Sequence, residues 1–143
     1  MVHEEAEAAL DVYFKQCSIL VTCHDLAIMA ATLSNMGRNP LTGKEVFDIR
    51  CIRDMLSIMF TCGMYDYSGQ WAYRVGVPAK SGVSGGVMAV VNRQLGMAVY
   101  SPPLDSHGNS RRGIEVCVEL AGSLGLHAFD CLNFGSSFLK VVL

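Results

Sequence analysis

The sequence predicts an α+β fold in which helices pack against an antiparallel sheet, and three observations carry that prediction. Helix-like apolar spacing dominates residues up to about 75, short Val- and Gly-rich runs occupy about 80–101, and a further helical pattern spans about 110–125. At 143 residues the chain suits a single domain or part of one, with no repeat, linker or low-complexity tract.

The elements follow in order. Residues 4–17 are Ala-rich, with Ala8, Leu10 to Val12 and Phe14 supplying an apolar side and acidic residues crowding the first turn. Thr22 is an N-cap candidate, and Asp25 stands three residues later in capping-box position. Leu26 to Leu33 is nearly all apolar and reads as a helix buried on most sides, ended by Asn35 and Gly37. Asn39 to Gly43 forms a turn. A helix over about 48–61 places Ile49, Ile52, Met55, Leu56 and Met59 on one face, with Arg50, Arg53 and Asp54 on the other. Tyr65 to Val75 mixes aromatic and polar residues and reads as a short helix or loop over a site. Ser84–Val91 and Gly96–Ser101 read as hairpin strands joined by residues 92–95, and Pro102-Pro103 stops the second. Asn109 or Ser110 caps the last helix.

Bulk properties exclude several function classes. The net charge is −2, the pI is near 6.0, and basic residues cluster only at Arg111-Arg112, so a nucleic-acid partner is not expected. No apolar run approaches 18 residues, which argues against a membrane span. The acidic start, Met1 to Glu5, does not resemble a signal peptide, and a cytoplasmic location is the default expectation. Six cysteines are scattered without a Cys-x-x-Cys pair and the four histidines do not cluster. No metal is therefore expected, and the cysteines read as reduced, mostly buried thiols. His24 and His107 read as an ordinary exposed helix residue and a turn residue. Hydrophobic residues reach 51% and charged residues only 17%, against roughly 25% charged in an average domain. A chain this apolar is expected to oligomerise or to pack against a further segment.

Pro78-Ala79-Lys80-Ser81-Gly82-Val83 is the most informative stretch. A lysine, a hydroxyl residue and a glycine at a strand start resemble the Lys-Thr-Gly element of penicillin-recognising serine hydrolases. In such an element Lys80 places a cation beside the substrate, Ser81 offers a hydroxyl and Gly82 lets a ligand lie against the strand edge. The Val83 N–H is then available to a carbonyl oxygen or a developing oxyanion. Read alone, the same residues also fit a Gly-rich turn with a solvated lysine.

The surroundings extend the resemblance. Cys62-Gly63-Met64-Tyr65-Asp66 lies upstream, and Ser101-Pro102-Pro103-Leu104-Asp105 with Gly108-Asn109-Ser110 lies downstream. From about Tyr13 to about Leu120 the chain resembles the C-terminal half of the serine-dependent glutaminases, which have a β-lactamase/transpeptidase-like catalytic domain. The resemblance implies a partial domain of that fold, hydrolysis of L-glutamine to L-glutamate and ammonia through a serine acyl-enzyme, no metal or organic cofactor, and homodimers or homotetramers. It assigns substrate binding to Tyr13, Tyr65 and the Val83 main chain, and gives Tyr65 a catalytic place near the nucleophile. Lys80, Ser81 and Gly82 support the strand edge. Read without it, Tyr13 is a half-buried core tyrosine and Tyr65 a loop tyrosine.

Penicillin-recognising folds and the glutaminases carry nucleophile and amine on one helical turn as Ser-x-x-Lys. In the family this pair precedes the region matched here, as do an Asn, a Glu and a second Asn that bind substrate. The one Ser-x-x-Lys in this chain, Ser137 to Lys140, follows the Lys-Ser-Gly element instead of preceding it and reads as coincidence. The 143 residues alone are expected to be inactive. Two further readings stand beside this one: a penicillin-recognising hydrolase, and a non-catalytic oligomerisation module. Arg111-Arg112 oppose the macrodipole of the last helix, and are either solvated or paired with acidic groups at a subunit interface.

Overall fold

The computed structural model describes residues 3–130. Helix α1 (His3–Cys17) is followed by α2 (Cys23–Ser34), α3 (Ile49–Cys62), a 3₁₀ turn (Tyr65–Tyr67) and α4 (Ser68–Arg74). Strands β1 (Ala79–Ser81), β2 (Gly86–Val91) and β3 (Leu95–Tyr100) precede α5 (Arg111–Leu124). The strands form one antiparallel sheet in the order β1-β2-β3. The α+β architecture is the expected one. The strand bounds shift slightly: Ser84 and Gly85 belong to the β1–β2 turn, and β3 begins at Leu95.

Local chemistry sets the element ends. Thr22 and Asp25 form the capping box, the Thr22 hydroxyl accepting from the Asp25 amide at 3.1 Å and Asp25 accepting from the Thr22 amide at 2.8 Å. The Thr22 hydroxyl also donates to Asp25, and these bonds hold that carboxyl below the usual carboxylate range. Ser110 caps α5 by accepting from the Gly113 amide, and left-handed Gly125 ends it.

Helices cover both faces of the sheet. Val87, Ala89 and Val91 share a core with Met64, Tyr67, Trp71 and Ile114. The alternate residue Val90 packs on Ala30, Leu33, Ile52 and Leu56. Gly96 brings β3 against α2 without an intervening side chain, since a Cβ there would lie 2.1 Å from the Ala31 nitrogen.

Burial departs from expectation in three places. In α2 only the last turns are buried, while Leu26 to Ile28 are half-buried and Met29 is exposed. In α3, Ile52 and Leu56 are buried and Met55 and Met59 half-buried, but Ile49 is exposed, because it borders an open groove with Phe60 and Met36. Among the described residues the cysteines are not mostly buried: Cys17, Cys23, Cys51 and Cys62 are exposed and only Cys117 is buried, its thiol pushed up to about 11 by desolvation. The exposed four lie on α1, α2 and α3, and of these Cys23 donates to the Ala98 carbonyl at 3.4 Å. Cys131 and the Ser137–Lys140 pair lie outside the described residues. Among the described residues no helix is long and apolar enough to cross a membrane.

Candidate active site

Tyr65 owes its place to Gly63. The end of α3 approaches β1 so closely that a Cβ on Gly63 would sit 1.7 Å from the Ala79 carbonyl oxygen and 2.4 Å from that of Met59. Only glycine fits, and its carbonyl accepts from the Ser81 amide at 2.9 Å. Two residues on, Tyr65 takes a left-handed φ of 54°. That conformation costs a non-glycine residue roughly 1–2 kcal/mol, so the surroundings must hold it. The Ser68 hydroxyl accepts from the Met64 amide at 3.1 Å and donates to the Tyr65 carbonyl at 2.8 Å.

So held, the Tyr65 hydroxyl donates to the Ser81 carbonyl at 3.2 Å, with the side chain 40% exposed. Lys80 donates to the same carbonyl, and its Nζ lies 4.9 Å from the Tyr65 ring centroid, within cation–π range. Desolvation holds the Lys80 ammonium below the usual lysine value. Ser81 does not offer its hydroxyl as the motif suggests. Register pairs Ser81 with Val87 and Ala79 with Ala89, so Ser81 faces the core, 1% exposed, and its Oγ is unpaired among the described residues. Strand alternation turns Lys80 and Ser81 to opposite faces, and the contribution of Ser81 to the site is its carbonyl.

Beyond Ser81 the chain leaves the ladder. The Gly82 amide donates to the Gly86 carbonyl and the Gly85 amide to the Gly82 carbonyl, both at 2.9 Å. Between them Val83 is 71% exposed, and its amide N–H meets no acceptor among the described residues. A Cβ on Gly82 would make only ordinary contacts, 3.6 Å to Ser84 Oγ and 3.9 Å to the Gly86 oxygen, so no neighbouring atom forces glycine there. A Cβ on Gly108 would stand 3.9 Å from both the Tyr65 ring and Val83 Cγ1. The loop before α5 thus borders the same surface.

Tyr13, in the middle of α1, is 59% exposed. Hydrogen bonding to the Cys17 thiol one turn later raises its phenol above the usual tyrosine value, and the Tyr65 phenol adds a weaker push in the same direction. Tyr65 and Lys80 therefore meet at the Ser81 carbonyl on one exposed sheet edge, with the Val83 amide on the adjoining turn, and Tyr13 makes no hydrogen bond or ring contact with them. His24 is exposed on α2, and His107 is an exposed turn residue with its ring 5.7 Å from that of Tyr67. Arg111 and Arg112 are elsewhere, lining a cleft of about 1020 Å³ with Arg74, Asp105, Glu115 and Glu119, where Arg74 pairs with Glu115 at 3.3 Å. Among the described residues no three His, Cys, Asp or Glu side chains group as metal ligands.

Sequence reading passed over Ser68 as part of this site and took Asn109 only as a candidate cap. Their bonds to the Met64–Tyr65 peptides span 3–45 residues and leave no periodic signal.

Helices on both faces of an antiparallel sheet, with Lys-Ser-Gly leading off its edge strand, define the β-lactamase-like class of α+β domain. The glutaminase family model matches residues 1–129. The chain belongs to the glutaminase family. It is 58% identical over 136 residues to a glutaminase of Nostoc sp., covering 95% of this chain and 41% of that protein. It is 51% identical over 126 residues to the mitochondrial liver glutaminase isoform of Mus musculus, covering 88% and 21%. Among solved structures, one named probable glutaminase ybaS superposes with a TM-score of 0.85 at 47% identity, covering 87% of this chain and 40% of that one. Another, Mglu in its glutamate form, gives 0.77 at 45% identity, covering 80% and 26%. The chain thus spans about two fifths of the length of its Nostoc relative.

Proposed function

We propose that these 143 residues are the C-terminal portion of a glutaminase catalytic domain that hydrolyses L-glutamine to L-glutamate and ammonia. The observation that carries the reading is the Val83 amide, unpaired among the described residues, at the end of Lys80-Ser81-Gly82 and beside the Tyr65 phenol. In the reaction, a serine outside this chain attacks the carboxamide carbon. The Val83 N–H receives the developing oxyanion, and the Tyr65 phenol relays the proton leaving the serine. Ammonia departs, and water then cleaves the acyl-serine to glutamate. Tyr13 binds the substrate, Lys80 adds a positive field, and Gly82 leaves room for the ligand. No metal or organic cofactor takes part. The working protein is a cytoplasmic homodimer or homotetramer, a reading supported by the apolar side chains exposed on α1 and α3.

The 143-residue chain alone is expected to release no ammonia from glutamine. Release at an ordinary rate, abolished by Ser137→Ala, would overturn both the reading and the dismissal of the C-terminal Ser-x-x-Lys. With the upstream portion of the domain supplied, Tyr65→Phe is expected to lower kcat by about 100-fold. Undiminished turnover in that variant would remove Tyr65 from the mechanism.

A further inference from the structure

We propose that Asn109 is a positioning residue for Tyr65, acting through the single peptide unit that joins Met64 to Tyr65. The proposal depends on the glutaminase reading only for its consequence in turnover. Asn109 is fully buried, and its Nδ2 donates to the Met64 carbonyl at 3.2 Å across 45 residues of sequence. That carbonyl has two lone pairs. The Tyr67 amide donates to it at 3.1 Å, closing the 3₁₀ turn, and Asn109 donates as well. The oxygen belongs to the peptide plane whose orientation fixes the Tyr65 φ at 54°, so pinning it aims the phenol at Ser81.

Asn109 is itself held on both sides. Its amide donates to Asp105 Oδ1 at 2.9 Å, and its carbonyl accepts from the Asp105 amide at 2.8 Å. Its own Oδ1, however, is buried without a partner among the described residues. An orphaned buried acceptor destabilises the fold, whereas an apolar side chain of the same shape would not. Among the described residues the Asn109 side chain thus works only through its donor end, and that end is spent on Met64. The adjacent Gly108 lies against the Tyr65 ring and Val83, so one loop fixes the phenol by its peptide and borders it by its surface.

The test uses the 143-residue chain with ¹³Cζ-labelled tyrosine, where the resonance lost in Tyr65→Phe identifies Tyr65. Asn109→Leu is expected to displace that resonance by more than its linewidth while thermal unfolding stays cooperative. Val90→Ala, a core variant that lowers Tm without touching the turn, is expected to leave it in place. Should Asn109→Leu not fold, Asn109→Asp replaces it. The buried acid donates to Met64 when protonated and cannot when ionised, so the Tyr65 resonance should be native-like on the acid side of that titration and displaced on the alkaline side. A resonance unmoved in folded Asn109→Leu, or throughout the Asn109→Asp titration, overturns the proposal. In the completed catalytic domain Asn109→Asp is expected to lower kcat about 10-fold with little change in KM. A displaced resonance with unchanged turnover would uphold the positioning role and remove Tyr65 from the chemistry.

Discussion

Helices α1 and α3 both carry apolar residues at helical spacing, α3 in the sharper stripe, and they meet opposite fates. In α3, Ile52 and Leu56 lock onto Ala30, Leu33 and Val90, and the helix delivers Gly63 and Tyr65 to the edge of the sheet. In α1, Leu10, Val12, Tyr13 and Phe14 are all exposed. Periodicity specifies a face that wants cover; it does not specify what supplies the cover. One face of α3 finds its cover within the described residues, and α1 does not.

The contrast is sharpest at the junction of α3 and β1. Gly63→Ala drives a methyl group into two backbone oxygens that no side-chain rotation can clear. It is expected to abolish cooperative unfolding, read by near-ultraviolet circular dichroism; a folded variant with native Tm would show that the α3–β1 approach can relax. Trp71→Ala comes next. Its ring is fully buried and its Nε1 donates to the Val77 carbonyl at 2.7 Å, so a loss of about 3–5 kcal/mol in denaturant unfolding is expected.

Lys80→Met tests the rim of the packed region. The folded chain holds the Lys80 ammonium below its unfolded value, near 10.4. The cost is therefore fully present at pH values below the folded one, and is relieved as pH rises through it toward the unfolded one. The variant should gain about 1–3 °C in Tm at neutral pH, kept small by solvent screening, and the gain should vanish above about pH 11. A Tm difference independent of pH would assign the effect to packing. Phe14→Ser closes the series: on the open helix it should change stability by about 0.5 kcal/mol or less. A loss as large as that of Trp71→Ala would mean that α1 is packed after all.

Much of this division was legible in the sequence. The Thr22–Asp25 box, the Ser110 cap and the hairpin rest on local rules, and local rules held. The gathering of Tyr65, Lys80 and Val83 was indicated by motif resemblance, which stores a three-dimensional arrangement in short words. What escaped depends on partners distant in the chain. Ser81 turned inward because β1 pairs with β2 in a register that no tripeptide reveals. Ile49 and four cysteines are exposed because apolar character alone does not say which residues another element covers. Asn109 looked like a capping candidate because its contact with Met64 crosses an interval that leaves no pattern.

The missing side chain at Gly96 also has a mechanical consequence. Backbone touches backbone where β3 meets α2, so no rotamer stands between them to absorb a push. Any displacement of the helix is transmitted undamped to the strand, and the two travel as one plate. Flexing of this half of the molecule must then be taken up at the bends on either side of the plate.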